Sequence, residues 1–114
     1  MLSRSYTLKG SKSFEEVEKN GKVFQSESFG LAALIREDKE HPVFGFIVSN
    51  KVSPDAVNRN RIKRALSEAV RQSLGEIKNG VTVVFLAKQA ATRTSTDGLM
   101  KESKEALRAS KLTK

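Results

Sequence analysis

Four cationic side chains fall within six residues near the middle of the chain. They are Arg59, Arg61, Lys63 and Arg64. Cations packed at this density repel one another unless a polyanion neutralises them, and nucleic-acid phosphate is the natural candidate. Two plainer alternatives are a solvated helix face and an ion pair between Arg64 and Glu68, which lie four residues apart. The sequence therefore favours a nucleic-acid contact at this cluster.

The composition of the whole chain agrees with a nucleic-acid contact. The chain has 114 residues, a net charge of +8 and no cysteine, and 38% of its residues are hydrophobic. These values predict one domain over residues 1–114, with 1–10 as a tail, acting in the cytoplasm. A small basic domain without a long apolar run is expected to bind nucleic acid, and to bind neither a membrane nor a small-molecule substrate.

The cationic cluster lies on a predicted amphipathic helix. Ser53-Pro54 is typical of a helix start and Gly75 of a helix end. The apolar positions recur at helical spacing. They are Ile62, Ala65, Leu66, Ala69, Val70 and Leu74. Arg61, Arg64 and Arg71 then fall opposite this apolar face, while Arg59 and Lys63 lie nearer its border.

The elements around this helix predict an α+β fold. Ser13 and Glu16 form a capping-box pattern that opens a first helix, which Gly21 ends. Three strands are predicted over residues 29–35, 43–48 and 81–87, the first two as an antiparallel hairpin across a charged turn. A polar loop at 92–96 precedes a final helix. The order α-β-β-α-β-α predicts a single-domain sandwich of helices against a small central sheet.

Residues for self-sufficient catalysis are missing from the sequence. The acidic residues lie in predicted loops and solvent faces, without the converging carboxylates that hold a nuclease metal. His41, the single histidine, precedes Pro42 in a turn and is expected to be an ordinary surface residue. We therefore expect no catalytic residue, no metal site and no cofactor on the protein, and no cleavage by the protein alone.

The segment Asn58-Arg59-Asn60-Arg61-Ile62-Lys63-Arg64 closely resembles the signature of the protein subunit of bacterial ribonuclease P. Spaced companions of the signature occur in the same order along the chain. They are Phe14, Val17 and Gly21, then Phe29, then Gly45, Val48, Ser49 and Lys51, then Ala87-Lys88. The resemblance covers residues 7–110, and the companions make it more specific than the Arg-Asn-Arg core alone.

The resemblance implies a composite enzyme that removes the 5′ leader of precursor tRNA. In that family a large RNA carries the active site with its Mg²⁺ ions, and the protein binds this RNA and the leader. The partners implied are ribonuclease P RNA and precursor tRNA. The fold implied is ribosomal protein S5 domain 2-like, with a left-handed β-α-β crossover that breaks the usual handedness rule.

The resemblance also implies two sets of contact residues. Those for the catalytic RNA are Lys51, Arg59, Asn60, Arg61, Lys63, Arg64 and Arg71. Those for a leader cleft between the first helix and the open sheet face are Phe14, Val17, Gly30, Ala32, Ile47 and Ser49. Glu18 and Ala32 stand where the family often has apolar or aromatic residues, so Phe14 is the best stacking candidate, unless its ring belongs to the core.

Two other functions remain open on the residues. The first is a free-standing basic RNA-binding module, such as a ribosomal or regulatory protein, using the same helix. The second is an RNA-independent nuclease, which the lack of metal ligands disfavours.

Overall fold

The computed structural model describes residues 4–8, 10–36 and 38–114. Within them the chain forms three α-helices and four β-strands. In chain order these are α1 (Ser11–Asn20), β1 (Lys22–Gln25), β2 (Phe29–Ile35), β3 (Val43–Ile47), α2 (Ala56–Ser73), β4 (Val81–Ala87) and α3 (Thr96–Ala109). Short 3₁₀ segments lie at Arg4–Tyr6, Leu74–Glu76 and Gln89–Arg93.

The four strands form one sheet in the order β1-β2-β4-β3. β2 pairs antiparallel with β1 and β4, and β3 pairs in parallel with β4. The predicted hairpin between β2 and β3 is therefore wrong, because β4 lies between them. β4 is β-branched and buried from Val81 to Phe85, so it takes the central position, where both of its faces are covered.

The connection from β2 to β3 passes the start of β4, where backbone bonds to Gly80 and the Arg36 side chain hold it. Arg36 forms an ion pair with Asp38 and donates to the Thr82 hydroxyl at 3.2 Å and to the His41 carbonyl at 2.9 Å. The contacts of Arg36 thus support a connection that crosses from β2 past β4 to β3, where the sequence had predicted a tight turn.

The two faces of the sheet carry different layers. One face, with Phe29, Leu31 and Phe44, packs on the apolar sides of α2 and α3 in the main core. The other face, with Ala32 and Val84, packs on Val17 of α1 in a smaller cluster. The predicted sandwich of helices on a small central sheet is confirmed, and the sequence also located correctly the buried face of α2.

Several element boundaries differ from their predictions. α1 begins at Ser11 after Gly10, two residues before the predicted cap at Ser13. α2 begins after Asp55, whose carboxylate accepts a bond from the Val57 amide, instead of at Ser53-Pro54. The predicted loop at 92–96 is part 3₁₀ helix and part start of α3, capped by the Ser95 hydroxyl.

The sequence missed β1, a short edge strand that is mostly exposed. Gly21 ends α1 immediately before it, as predicted. A Cβ on Gly21 would lie 2.5 Å from the Val17 carbonyl oxygen and 2.7 Å from that of Ala33. No side chain fits there, so glycine permits the close approach of the α1 end to β2.

The amino-terminal segment contacts the sheet where the structure describes it. Thr7 bridges to Phe44 at the free edge of β3, and the Leu8 amide donates to the Phe44 carbonyl at 2.7 Å. Residues 1–3 and 9 lie outside the described residues. Among the residues that are described, no helix is both long and apolar enough to cross a membrane.

The parallel pair β3 and β4 is joined through α2, so the β-α-β crossover expected from the resemblance is present. Its left hand stays a prediction. The crossover places α2 against the main core while its outer side remains accessible.

Candidate nucleic-acid interface

Helix α2 presents its cations outward because its inner face is fully used in packing. Ile62, Leu66, Ala69 and Val70 are each 0% exposed, which fixes the rotation of the helix about its axis. The side chains between them are left to point away from the core, at positions that the 3.6-residue period dictates. They do not, however, all reach solvent.

Arg61 turns back onto the protein. Its guanidinium donates to the Thr94 carbonyl at 3.0 Å, to the Ala91 and Thr92 carbonyls at 3.4 Å, and to the Asn58 side chain at 3.3 Å. These four bonds occupy most of its donors. The structure shows Arg61 connecting α2 to the segment that follows β4, and the RNA contact that the sequence predicted for it stays a prediction.

Arg59 also bonds to the protein backbone, but through a single hydrogen bond. One of its terminal nitrogens donates to the Ser53 carbonyl at 2.8 Å, which ties the start of α2 to the loop before it. The side chain is half-buried, and its remaining donors are not engaged within the described residues. Arg59 therefore both holds this loop and keeps charge available to a ligand.

The open basic face consists of Asn60, Lys63 and Arg64. All three are exposed, and none has a side-chain hydrogen bond or ion pair to any other described residue. They lie one turn apart or less on α2. Three neighbouring polar groups without partners among the described residues, two of them charged, are available to bind phosphate oxygens.

Arg71 lies two turns beyond Arg64 on the same side of α2 and is ion-paired. Glu68 forms a bidentate pair with it, and Gln72 also donates to this carboxylate. The hydrogen bond from Arg71 lowers the pKa of Glu68 to about 2, so the carboxylate stays ionised. Glu68 thus pairs with Arg71 and not with Arg64, which was the plain alternative, and Arg71 is left partly neutralised.

Lys51 lies in the loop between β3 and α2. Gln89 donates to the Lys51 carbonyl at 3.1 Å, and the Val52 amide closes a turn onto Ser49. The loop is thereby held from two sides, by Gln89 and by Arg59. The Lys51 side chain itself is exposed.

The second surface is the predicted leader cleft, and Phe14 is its main feature. The ring of Phe14 lies directly over Gly45 of β3, where a Cβ would come within 2.3 Å of the ring. Phe14 is half-buried and also packs with the Val17 cluster. The missing side chain of Gly45 therefore makes room for the ring against the sheet, while part of the ring stays accessible.

Half of the residues predicted for this cleft are inaccessible. Val17 is 2% exposed and Ala32 is 0% exposed, because α1 covers the middle of the sheet. Gly30 is buried too, with the Gln25 side chain over it. The sequence predicted that this sheet face stays open, which is wrong at these three positions. The accessible part is confined to Phe14, with Ile47 and Ser49.

Two apolar neighbours of this cleft, Leu8 and Leu86, were not predicted from the sequence. Both are half-buried and pack against the Val17 cluster. Leu86 lies directly opposite Ile47 in the parallel pair. Because the sequence-based pairing joined the wrong strands, Leu86 could not have been placed beside Ile47.

His41 has a structural contact and is exposed, as predicted. Its Nε2 lies 2.6 Å from the Ser5 carbonyl, and its ring meets the Tyr6 ring edge-on at 4.7 Å. It anchors the amino-terminal segment beside β3. Within the described part of the chain, no three histidine, aspartate or glutamate side chains converge to hold a metal ion.

Known proteins resemble this chain over nearly its full length. The family model described as Ribonuclease P matches residues 2–111. A ribonuclease P protein component of Pseudanabaena sp. is 30% identical over 98% of this chain and 97% of its own. One of Syntrophomonas wolfei is 31% identical over 90% of this chain and 84% of its own. The RNase P protein structure of Staphylococcus aureus superposes with a TM-score of 0.88 at 25% identity, covering 96% of this chain and 98% of that one.

Proposed function

Because this chain belongs to the ribonuclease P protein family, as an RNA-binding subunit of a tRNA-processing endoribonuclease, we propose that α2 binds the RNA of that enzyme. The proposed partner on α2 is ribonuclease P RNA, and the proposed substrate is precursor tRNA. The RNA supplies the catalytic Mg²⁺ and the hydrolysis, while the protein positions the precursor. The proposed place of action is the cytoplasm.

The observation that carries this proposal is the open basic face. Asn60, Lys63 and Arg64 lack protein partners within the described residues, although neighbouring Arg59, Arg61 and Arg71 have them. Unpaired cations on a rigid helix suit a surface of regularly spaced phosphates. Because the chain belongs to this family, we do not favour the alternative function, a free-standing RNA-binding protein that uses the same helix.

The proposal predicts how activity depends on RNA and Mg²⁺. The protein alone should leave precursor tRNA intact. Added to ribonuclease P RNA at limiting Mg²⁺, it should raise the rate of leader removal, because neutralised phosphates reduce the demand for counterions. Single-turnover cleavage across a Mg²⁺ series measures this effect. Cleavage by RNA-free protein that survives purification from contaminating nucleases would refute the proposed division of labour.

For the leader we propose the accessible part of the α1 cleft. Phe14→Ala should weaken binding of precursor tRNA to the reconstituted enzyme by roughly 1–2 kcal/mol, the lower part of the range for stacking a base on an aromatic ring, because one side of this ring already contacts the sheet. Mature tRNA has no leader, so its affinity should barely change. Equilibrium binding of both tRNAs measures the difference.

Gly45→Ala is a companion variant that displaces the Phe14 ring without removing it. The added Cβ lies too close to Phe14 for the ring to keep its position. The variant should therefore weaken precursor binding in the same direction as Phe14→Ala. If both variants instead lose precursor and mature tRNA equally, together with thermal stability, Phe14 acts only as a core residue.

A further inference from the structure

Residues of α2 and α3 line a groove beside the open basic face, and phosphate binding does not require such a groove. It is an open groove with a volume of about 720 Å³, within the range of sites for small organic groups. Its main lining residues are Val57, Asn60, Arg64, Ala65, Thr96 and Met100. The open basic face thus forms one rim of a concave surface, instead of lying on a flat one.

The groove has an apolar floor. Ala65 is 2% exposed and Met100 is half-buried against the main core, so neither can move away from the groove. Val57 also lines the groove and is 76% exposed, the most exposed large hydrophobic side chain in the described residues. An exposed valine in the most basic region of the chain contributes nothing to phosphate binding, and burial against a ligand would stabilise the complex.

The rim has the polar groups that a nucleotide needs. Asn60 offers both a donor and an acceptor from its amide, the combination that matches base edges. Arg64 offers a guanidinium for the attached phosphate or for the face of the ring. Glu68 also lines the groove, but its carboxylate is held by Arg71.

Arg61 holds the groove in shape. Its bonds to the carbonyls at 91, 92 and 94 fix the segment that leads into α3. The Ser95 hydroxyl then accepts from the Gly98 amide at 3.0 Å and sets the first turn of α3. Thr96 and Met100 are therefore presented opposite Asn60 and Arg64 before any RNA binds.

From these features we propose that the groove between α2 and α3 takes one unpaired nucleobase of the bound RNA, an inference that rests on the proposed function. The base packs on Val57 and Met100, its edge meets Asn60, and its phosphate meets Arg64. Proteins read RNA mainly through such splayed bases in loops and bulges, because the grooves of paired RNA are hard to reach.

The test compares Val57→Ala with Val23→Ala, an exposed valine on β1 outside this groove. Val57→Ala should weaken binding of ribonuclease P RNA about fivefold, because the methyl groups it removes are buried in the complex. The slope of log affinity against log salt should not change, since no phosphate contact is lost. Val23→Ala should bind like the wild type.

Chemical probing of base edges gives a direct readout. The wild-type protein should protect at least one unpaired base that Val57→Ala leaves reactive, while other protections stay. Equal affinities and identical protection patterns for the two valine variants would overturn the inference. Wild-type protein that prefers ribonuclease P RNA no more than an unrelated structured RNA would count against the proposed function. The valine comparison is then made on oligoadenylate, where the same difference is expected.

Discussion

Arg61→Ala should lower the free energy of unfolding by about 2–3 kcal/mol, because hydrogen bonds from a charged donor are each worth roughly 1.5 kcal/mol or more when their acceptors lose water. The variant leaves the Thr92 and Thr94 carbonyls without their guanidinium donor. It also disconnects α2 from the segment between β4 and α3. Chemical denaturation and hydrogen exchange of residues 89–98 measure the two effects.

Arg61→Lys and Arg64→Ala are the matched controls. Lysine keeps the charge at 61 but cannot reproduce the fork of donors, so its loss of stability should approach that of alanine. Arg64 makes no bond within the described residues, so its removal should change stability by less than about 0.5 kcal/mol. An Arg61→Ala protein as stable as the wild type would show that these bonds of Arg61 contribute little in solution.

The double variant Lys63→Ala/Arg64→Ala should lose RNA affinity without losing stability. Two charge-assisted contacts disappear, which corresponds to about 3 kcal/mol of binding free energy. The slope of log affinity against log salt should fall by roughly 1.4–1.8, because each phosphate contact accounts for about 0.7–0.9. Titration of ribonuclease P RNA at several salt concentrations measures both quantities.

Lys101→Ala/Arg108→Ala removes the same formal charge from α3, where both side chains are exposed. This control should weaken binding much less, since general attraction between distant charges is largely screened at physiological salt. If both double variants change affinity and slope alike, the protein attracts RNA through its net charge, and the open basic face has no special role.

The sequence predicted the elements of the core well, because their signals are local. Helical spacing identified the buried face of α2, and a β-branched run identified β4. Pairing of strands is not local. Nothing in residues 29–48 shows that β4, more than thirty residues later, inserts between β2 and β3. The short strand β1 has too few buried side chains to leave a pattern.

The candidate site was predicted at the level of the helix but not of each side chain. Helical geometry placed Arg61 and Arg64 on one side of α2, and both do lie there. Only packing decides that Arg61 meets backbone carbonyls some thirty residues away while Arg64 meets none of the described residues. Backbone carbonyls carry no sequence signal, so no residue pattern could have separated these two arginines.

The position of β4 between β2 and β3 also limits when the sheet can form during synthesis. A ribosome releases β1, β2, β3 and α2 before residues 81–87, yet β2 and β3 meet only through β4. Only β1 and β2, which are adjacent in sequence, can pair early, because the other two pairings join β4 to segments far from it in sequence. A translation product that stops before residue 81 therefore carries the arginine-rich segment without the complete sheet on which α2 packs, so it can attract RNA but cannot position it.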